Sequence, residues 1–172
     1  MFIQWLRENR LASYVLTLLR LYLGVKWVQA GWEKISGGHF DASGFMLGAL
    51  KQVSGDHPAV QPWWGDFLRQ VALPNAEIFN ALIPWGEFLV GLGLLLGMFT
   101  SLAVLMGLTM NFAYLFSGTT SVNPQMVLAG MIVLAAGANA GRIGMDRWVV
   151  HYLGLKFKKR KLSNTPCLKV HS

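Results

Sequence analysis

Charge is scarce in this sequence. Only 13% of its 172 residues are Asp, Glu, Lys or Arg, while 53% are hydrophobic and the mean hydropathy is positive. A soluble domain carries about 25% charged residues, so the composition excludes one and points to an integral membrane protein. Cysteine is nearly missing too. Cys167 stands alone, which rules out an intrachain disulfide, a Cys-x-x-Cys redox pair and a thiolate metal cluster. The four histidines, His39, His57, His151 and His171, all fall in connecting segments or the tail. No two can face each other inside a helical bundle as axial haem ligands, and the sequence has no HExxH motif and no glycine-rich phosphate loop. No metal, haem or covalently bound cofactor is expected, so any redox chemistry must borrow a diffusible quinone or a partner protein.

Four apolar stretches fill the chain, at residues 11–32, 77–98, 102–116 and 124–143. Each is near the ~20 residues that a helix needs to cross ~30 Å of hydrocarbon. The runs are continuous and rich in Leu, Gly and Ala, which excludes the alternating pattern of barrel strands. The expected fold is all-α: an integral membrane four-helix bundle, residues 1–154, followed by a basic cytoplasmic tail, residues 155–172.

The cations orient it. Arg7 and Arg10 precede the first stretch, and Arg142, Arg147, Lys156, Lys158, Lys159, Arg160 and Lys161 follow the fourth. The long connection at 36–76 has Lys51 and Arg69 against Asp41, Asp56 and Asp66. That asymmetry places both termini in the cytoplasm. It also accounts for the net charge of +7 as a topology signal and a contact for anionic lipid rather than for nucleic acid. The first stretch is longer than the apolar core of a secretory signal, contains Arg20 and lacks a small-x-small cleavage site, so it is expected to remain as an anchor.

The outer connection carries its own signals. Gly37-Gly38 suits a helix end. Asp41 suits the cap of a short amphipathic segment at 41–51, with Phe45, Leu47 and Leu50 as apolar contacts. Gly55-Asp56-His57-Pro58 reads as a turn, and Pro62-Trp63-Trp64 opens a second short segment at 63–71 whose tryptophans suit the headgroup layer. Either a lid over a ligand or an anchoring belt fits this pattern. Phe99-Thr100-Ser101 is too short a link for anything but antiparallel neighbours. Asn123 is placed as a cap with Pro124 at the first helical position. Gly86, Gly93, Gly97, Gly130, Gly137 and Gly141 have the spacing of close helix packing.

A charge at the bilayer centre costs at least about 2.5 kcal/mol and persists only with a partner, a wet cavity or a task. Counting ~1.5 Å per residue from the helix ends puts Arg20, Glu87 and Asn111 in one layer near mid-membrane, which predicts an Arg20–Glu87 pair. Such a pair either clamps the first two helices or floors a pocket. Arg20, Gly24, Trp27, Gly31 and Lys34 share one face of the first helix, and Gly107, Asn111, Tyr114 and Gly118 one face of the third. An outward-opening cleft between these faces would take a quinone, with Arg20, Trp27, Lys34, Glu87, Asn111 and Tyr114 as its candidate contacts. Lys26 and Glu33 lie on another face and are assigned to structure. No residue is singled out as catalytic.

Five segments carry a resemblance: LRLYLGVKWVQAGWEKI, GGHFDASGF, PWGEFLVGLGLLLGMFT, MNFAYLFSGTTSVNP and AGANAGRIGMDRW. In that order over residues 11–150, they resemble the DoxX/DoxD membrane proteins. The resemblance implies a four-helix protein of a prokaryotic plasma membrane. Its DoxD branch is a subunit of thiosulfate:quinone oxidoreductase, which joins two thiosulfates into tetrathionate, passes the electrons to quinone and has a second, DoxA subunit. The polar residues that match by position are Arg20, Lys34, Glu87 and Asn111, with Arg142 and Asp146 near the cytoplasmic end. The alternative from another class is a non-catalytic scaffold of a redox-stress complex, or a small-molecule permease.

Overall fold

The computed structural model describes residues 1–38, 40–148 and 152. The basic tail, Cys167, His39, His151 and His171 lie outside the described residues. Every regular element among the described residues is helical.

A short helix α1, Phe2–Glu8, precedes the first long one. Asn9 separates them because its side chain accepts from Leu11 N (2.7 Å) and Ala12 N (3.4 Å), satisfying the first amides of α2, Arg10–Ser36. Helix α2 ends at Gly37, as its sequence suggests. The long connection after α2 forms α3, Ala42–Leu50, with Asp41 as its side-chain cap, and then α4, Pro62–Phe67. The expected second segment is not separate. A π-helical stretch, Leu68–Ala72, and a 3-10 turn, Leu73–Asn75, carry α4 into α5, Ala76–Leu96. Helices α6, Thr100–Phe116, and α7, Asn123–Ala136, complete the set.

Two boundaries differ from expectation. Helix α7 stops at Ala136, because Gly137 has φ +58 and the chain tightens into a 3-10 segment, Gly137–Gly141, instead of running on to residue 143. Asn123 does not cap α7. Its Nδ2 reaches back to Thr119 O (2.9 Å), while Pro124 does sit in the first turn.

Three helical stretches are long and apolar enough to cross a membrane: Arg10–Ser36, Pro62–Leu96 and Asn123–Gly141. Helix α6 is apolar but has 17 residues, about 25 Å by the helical rise. Outward-facing residues such as Leu18, Leu82, Leu89 and Leu128 are more than half exposed, as a lipid-facing surface requires. The chain is a multi-pass membrane protein.

Helix α2 packs on α5, and α6 on α7. The α2–α5 seam is set by glycine. A Cβ on Gly31 would meet Phe88 N at 2.5 Å, and one on Gly91 would meet Val28 N at 2.4 Å, so backbone touches backbone there. Gly91 was not among the packing glycines inferred from spacing. Of those that were, Gly93 and Gly130 face Ala103 and Leu108 closely, Gly86 has only ordinary contact with Met110, and Gly97 and Gly137 serve as positive-φ turns. The bundle core gathers Leu16, Leu23, Trp27, Leu94, Val104 and Val133. A second core of Ala42, Met46, Ala49, Val60, Leu68 and Ala72 makes this connection a folded cap.

Candidate functional site

Two buried polar clusters occupy opposite ends of the bundle. At the capped end, Glu87 of α5 is 1% exposed. Its Oε2 receives Lys34 Nζ at 2.6 Å and its Oε1 receives the Tyr114 hydroxyl at 2.5 Å. Three helices thus converge on one carboxylate. Their geometry follows from the seam: Gly31 admits α5 so closely that Lys34, one turn on, overhangs Glu87. Lys34 also donates to Ala30 O (3.3 Å), lies 5.7 Å from the centre of the Phe40 ring, and keeps 26% of its side chain exposed.

The cap covers this cluster. Phe45 of α3 stands edge-on to Tyr114 with ring centres 5.8 Å apart. Asn80 Oδ1 accepts from Ala42 N (2.7 Å), and Trp64 Nε1 donates to Ser117 Oγ (2.9 Å), so the cap is tied to both α5 and α6. A buried carboxylate thus holds an ammonium on one oxygen and a phenol on the other, with the ammonium partly exposed, which lines up three groups of the kind used in proton transfer.

At the other end, Arg20 is 2% exposed and donates through Nη2 to Ile143 O (2.7 Å). Its guanidinium lies against Gly97 and Gly144, where any Cβ would collide with it. Asp146 approaches Arg20 electrostatically, but its oxygens are engaged by Phe99 N (2.6 Å) and Thr100 N (3.0 Å) at the start of α6. Backbone bonds from Met145 N to Leu96 O and from Asp146 N to Gly97 O close the segment after α7 over the α5–α6 turn. Arg142 lies exposed on the same segment.

The Arg20–Glu87 pair is therefore not formed. Gly24 faces Leu95, Gly91 faces Val28 and Gly31 faces Phe88, which fixes one antiparallel register. In it, Arg20 stands opposite Phe99 and Glu87 opposite Trp32, about twelve residues or roughly 18 Å apart along α2. Counting from the helix ends failed because those ends do not share a plane: α2 begins well beyond the α5–α6 turn. Each charge instead found a nearer partner. The expected cleft is filled as well. Trp27 packs against Gly107, and the void beside Trp27 and Asn111 is about 10 Å³, roughly one water. Asn111 is 1% exposed and its Oδ1 has no partner among the described residues. Trp27 and Asn111 thus sit in the packed middle, Lys34, Glu87 and Tyr114 at one end, and Arg20, Arg142 and Asp146 at the other.

Sequence reasoning missed several ties. Asn139 Nδ2 donates to Leu6 O (2.8 Å) and Asn9 O (3.0 Å), and Arg7 Nε to Ala135 O (2.9 Å), joining α1 to the end of α7. Nothing local marks these contacts. The Lys34–Glu87 pair was within reach, since the small residues at 24, 31 and 91 carry the register.

A family model described as DoxX matches residues 15–119, from the first turns of α2 to just past α6. Both members of the Lys34–Glu87 pair and Tyr114 fall inside the match, whereas α7, Arg142 and Asp146 fall outside it. Comparison with curated proteins and with solved structures finds no match.

Proposed function

The chain belongs to the DoxX family, and from that premise we propose that it is the membrane subunit of a quinone-linked oxidoreductase whose proton-handling site is Lys34–Glu87–Tyr114. The observation that carries this is the buried Glu87 carboxylate, held by an amine and a phenol beneath a folded cap. Quinone reduction consumes protons as well as electrons, and a carboxylate linked to the exterior through a half-open lysine supplies them without a resident metal. The substrate pair follows the thiosulfate:quinone reaction of the DoxD branch. Two thiosulfates lose two electrons as their outer sulfurs join into tetrathionate, and a quinone gains those electrons with two protons to become the quinol.

The quinone ring is placed at the lipid-facing edge of the Lys34 cluster rather than inside the bundle. An interior void of about 10 Å³ is far below the roughly 300 Å³ of a ligand site. A DoxA-like second subunit would complete the electron path. The setting is a prokaryotic plasma membrane, with four spans and both termini cytoplasmic, and with the cap outside. Its apolar outer faces meet membrane lipid.

One observation favours a second reading. The closely packed interior beside Trp27 and Asn111 suits a non-catalytic scaffold of a redox-stress complex. The test is quinone reduction by purified membranes with thiosulfate, comparing cells with the protein, without it, and with Tyr114→Phe or Glu87→Gln. Loss of thiosulfate-dependent reduction in the deletion and in both folded variants supports the enzyme. Wild-type rates in folded Glu87→Gln remove the site from the mechanism and leave the scaffold.

A further inference from the structure

A cavity of about 1100 Å³ opens at the end opposite the cap, between the start of α2, the α5–α6 turn and the segment after α7. Arg7, Arg10, Arg142 and Arg147 line it, and among the described residues the one acid in its lining is Asp146. That carboxylate is taken up by the amides of Phe99 and Thr100. The cationic lining is thus far from balanced.

Behind the arginines stand buried polar atoms without a hydrogen-bond partner among the described residues. Thr100 forms part of the wall, is 2% exposed, and its hydroxyl has no partner among the described residues. Arg20 lies directly behind Ile143, another wall residue. It spends Nη2 on the Ile143 carbonyl, while its Nε and Nη1 have no partner among the described residues. A buried donor without an acceptor is costly, more so when charged, so such a cluster calls for an anion or for water carrying one. The rim is apolar: Tyr14, Phe99 and Leu102 are 63%, 48% and 55% exposed. A cationic hollow with an oily edge matches a molecule that has an anionic head and a hydrocarbon tail.

We propose that this cavity binds a phosphate-type oxyanion, carried on the headgroup of an anionic phospholipid or present as the free ion. Thr100 supplies a hydroxyl donor, Arg142 and Arg147 supply mobile charge at the mouth, and Arg20 supplies fixed positive potential from behind the wall. The apolar rim favours the lipid as the source. The proposal does not depend on the Lys34–Glu87–Tyr114 site.

The experiment uses the full chain in vesicles of phosphatidylcholine with or without phosphatidylglycerol, reading the thermal midpoint and the lipid retained in native mass spectrometry. Wild type should gain midpoint and retain phosphatidylglycerol. Arg142→Gln with Arg147→Gln, both exposed positions, should weaken retention roughly tenfold or more. Thr100→Val, which keeps the backbone bonds to Asp146, should weaken it as well. Lys51→Gln with Arg69→Gln, at the capped end, should leave it unchanged. Inorganic phosphate added to pure phosphatidylcholine vesicles separates the sources: a matching rise in midpoint identifies the free ion, and no rise alongside a response to phosphatidylglycerol identifies the headgroup. No response to either overturns the proposal. So does a phosphatidylglycerol response that survives the Arg142 and Arg147 changes but disappears when Lys158, Lys159, Arg160 and Lys161 become Gln, since the tail would then be the binder.

Discussion

Glu87 is the residue on which most depends, because it takes a full charge to 1% exposure and is bound there by two side chains. Removing one member of a buried pair strands the other. Glu87→Ala should therefore destabilise by about 3–5 kcal/mol, whereas replacing Lys34 and Glu87 together with Met and Leu should cost less than the two single changes combined. A double-mutant cycle in denaturant titrations of the reconstituted protein measures this, and additive losses would dissolve the pair. The same cycle for Arg20 and Glu87 should be additive, since roughly 18 Å of helix separates them. Glycine offers an independent test of the register. Gly31→Ala and Gly91→Ala drive a methyl into backbone at 2.5 and 2.4 Å and should cost about 1–3 kcal/mol or more. Gly86→Ala meets only Met110 at 3.6 Å and should be neutral or stabilising by up to about 1 kcal/mol. Equal effects at the three positions would contradict the seam.

At the scale of elements, the ends of the helices matter more than their middles. Phe99, which precedes α6, has φ +52, and no side chain of its own cap region accepts its amides; Asp146, from beyond α7, takes the Phe99 and Thr100 amides instead. Asp146→Ala should cost about 1–2 kcal/mol and speed hydrogen exchange in the first turn of α6 while leaving the cap unaffected. Unchanged exchange there would show that water replaces the carboxylate without loss. Some caps that act within a few residues were legible in the sequence: Asp41 starts α3, Gly37 ends α2 and Pro124 opens α7, whereas the Asn9 cap of α2 was not foreseen and Asn123 does not cap α7. Caps that act across the fold were not, because neither Asp146 nor Asn139 carries any local sign of its distant partner. The candidate residues on α2, α5 and α6 were found by charge and periodicity. Their pairing was misjudged because depth was counted from helix ends, and only close contacts such as Gly31 on Phe88 fix how far one helix slides along another. Trp64 adds a further distant tie without a local sign, its indole nitrogen donating to Ser117.

For the molecule as a whole, the meeting of distant helix ends bears on how many times the chain crosses the bilayer. Helix α6 has 17 residues, giving about 25 Å against ~30 Å of hydrocarbon. The fold supplies an argument that length alone does not. Arg7 bonds to Ala135 O at the end of α7, Asn139 bonds back to Leu6 and Asn9, and Arg7, Arg10, Arg142 and Arg147 line one cavity, so the start of the chain and the segment after α7 lie at the same end. Three crossings would put them on opposite faces of the membrane. Four crossings keep them together, and the bilayer meets the shorter α6 by local thinning at a cost of fractions of a kcal/mol per Å. With the arginines gathered at that end, the positive-inside bias predicts that it is cytoplasmic and that the cap lies outside. A membrane-impermeant maleimide applied to intact cells should therefore label Ser54→Cys, an exposed cap position, but not Cys167 until the membrane is opened. Ser54 is preferred to Gly55, whose φ of +126 would strain a cysteine. Labelling of Cys167 from outside with Ser54→Cys protected would invert the topology, and labelling of both without permeabilisation would mean that α6 does not cross and that the meeting of the two ends is wrong.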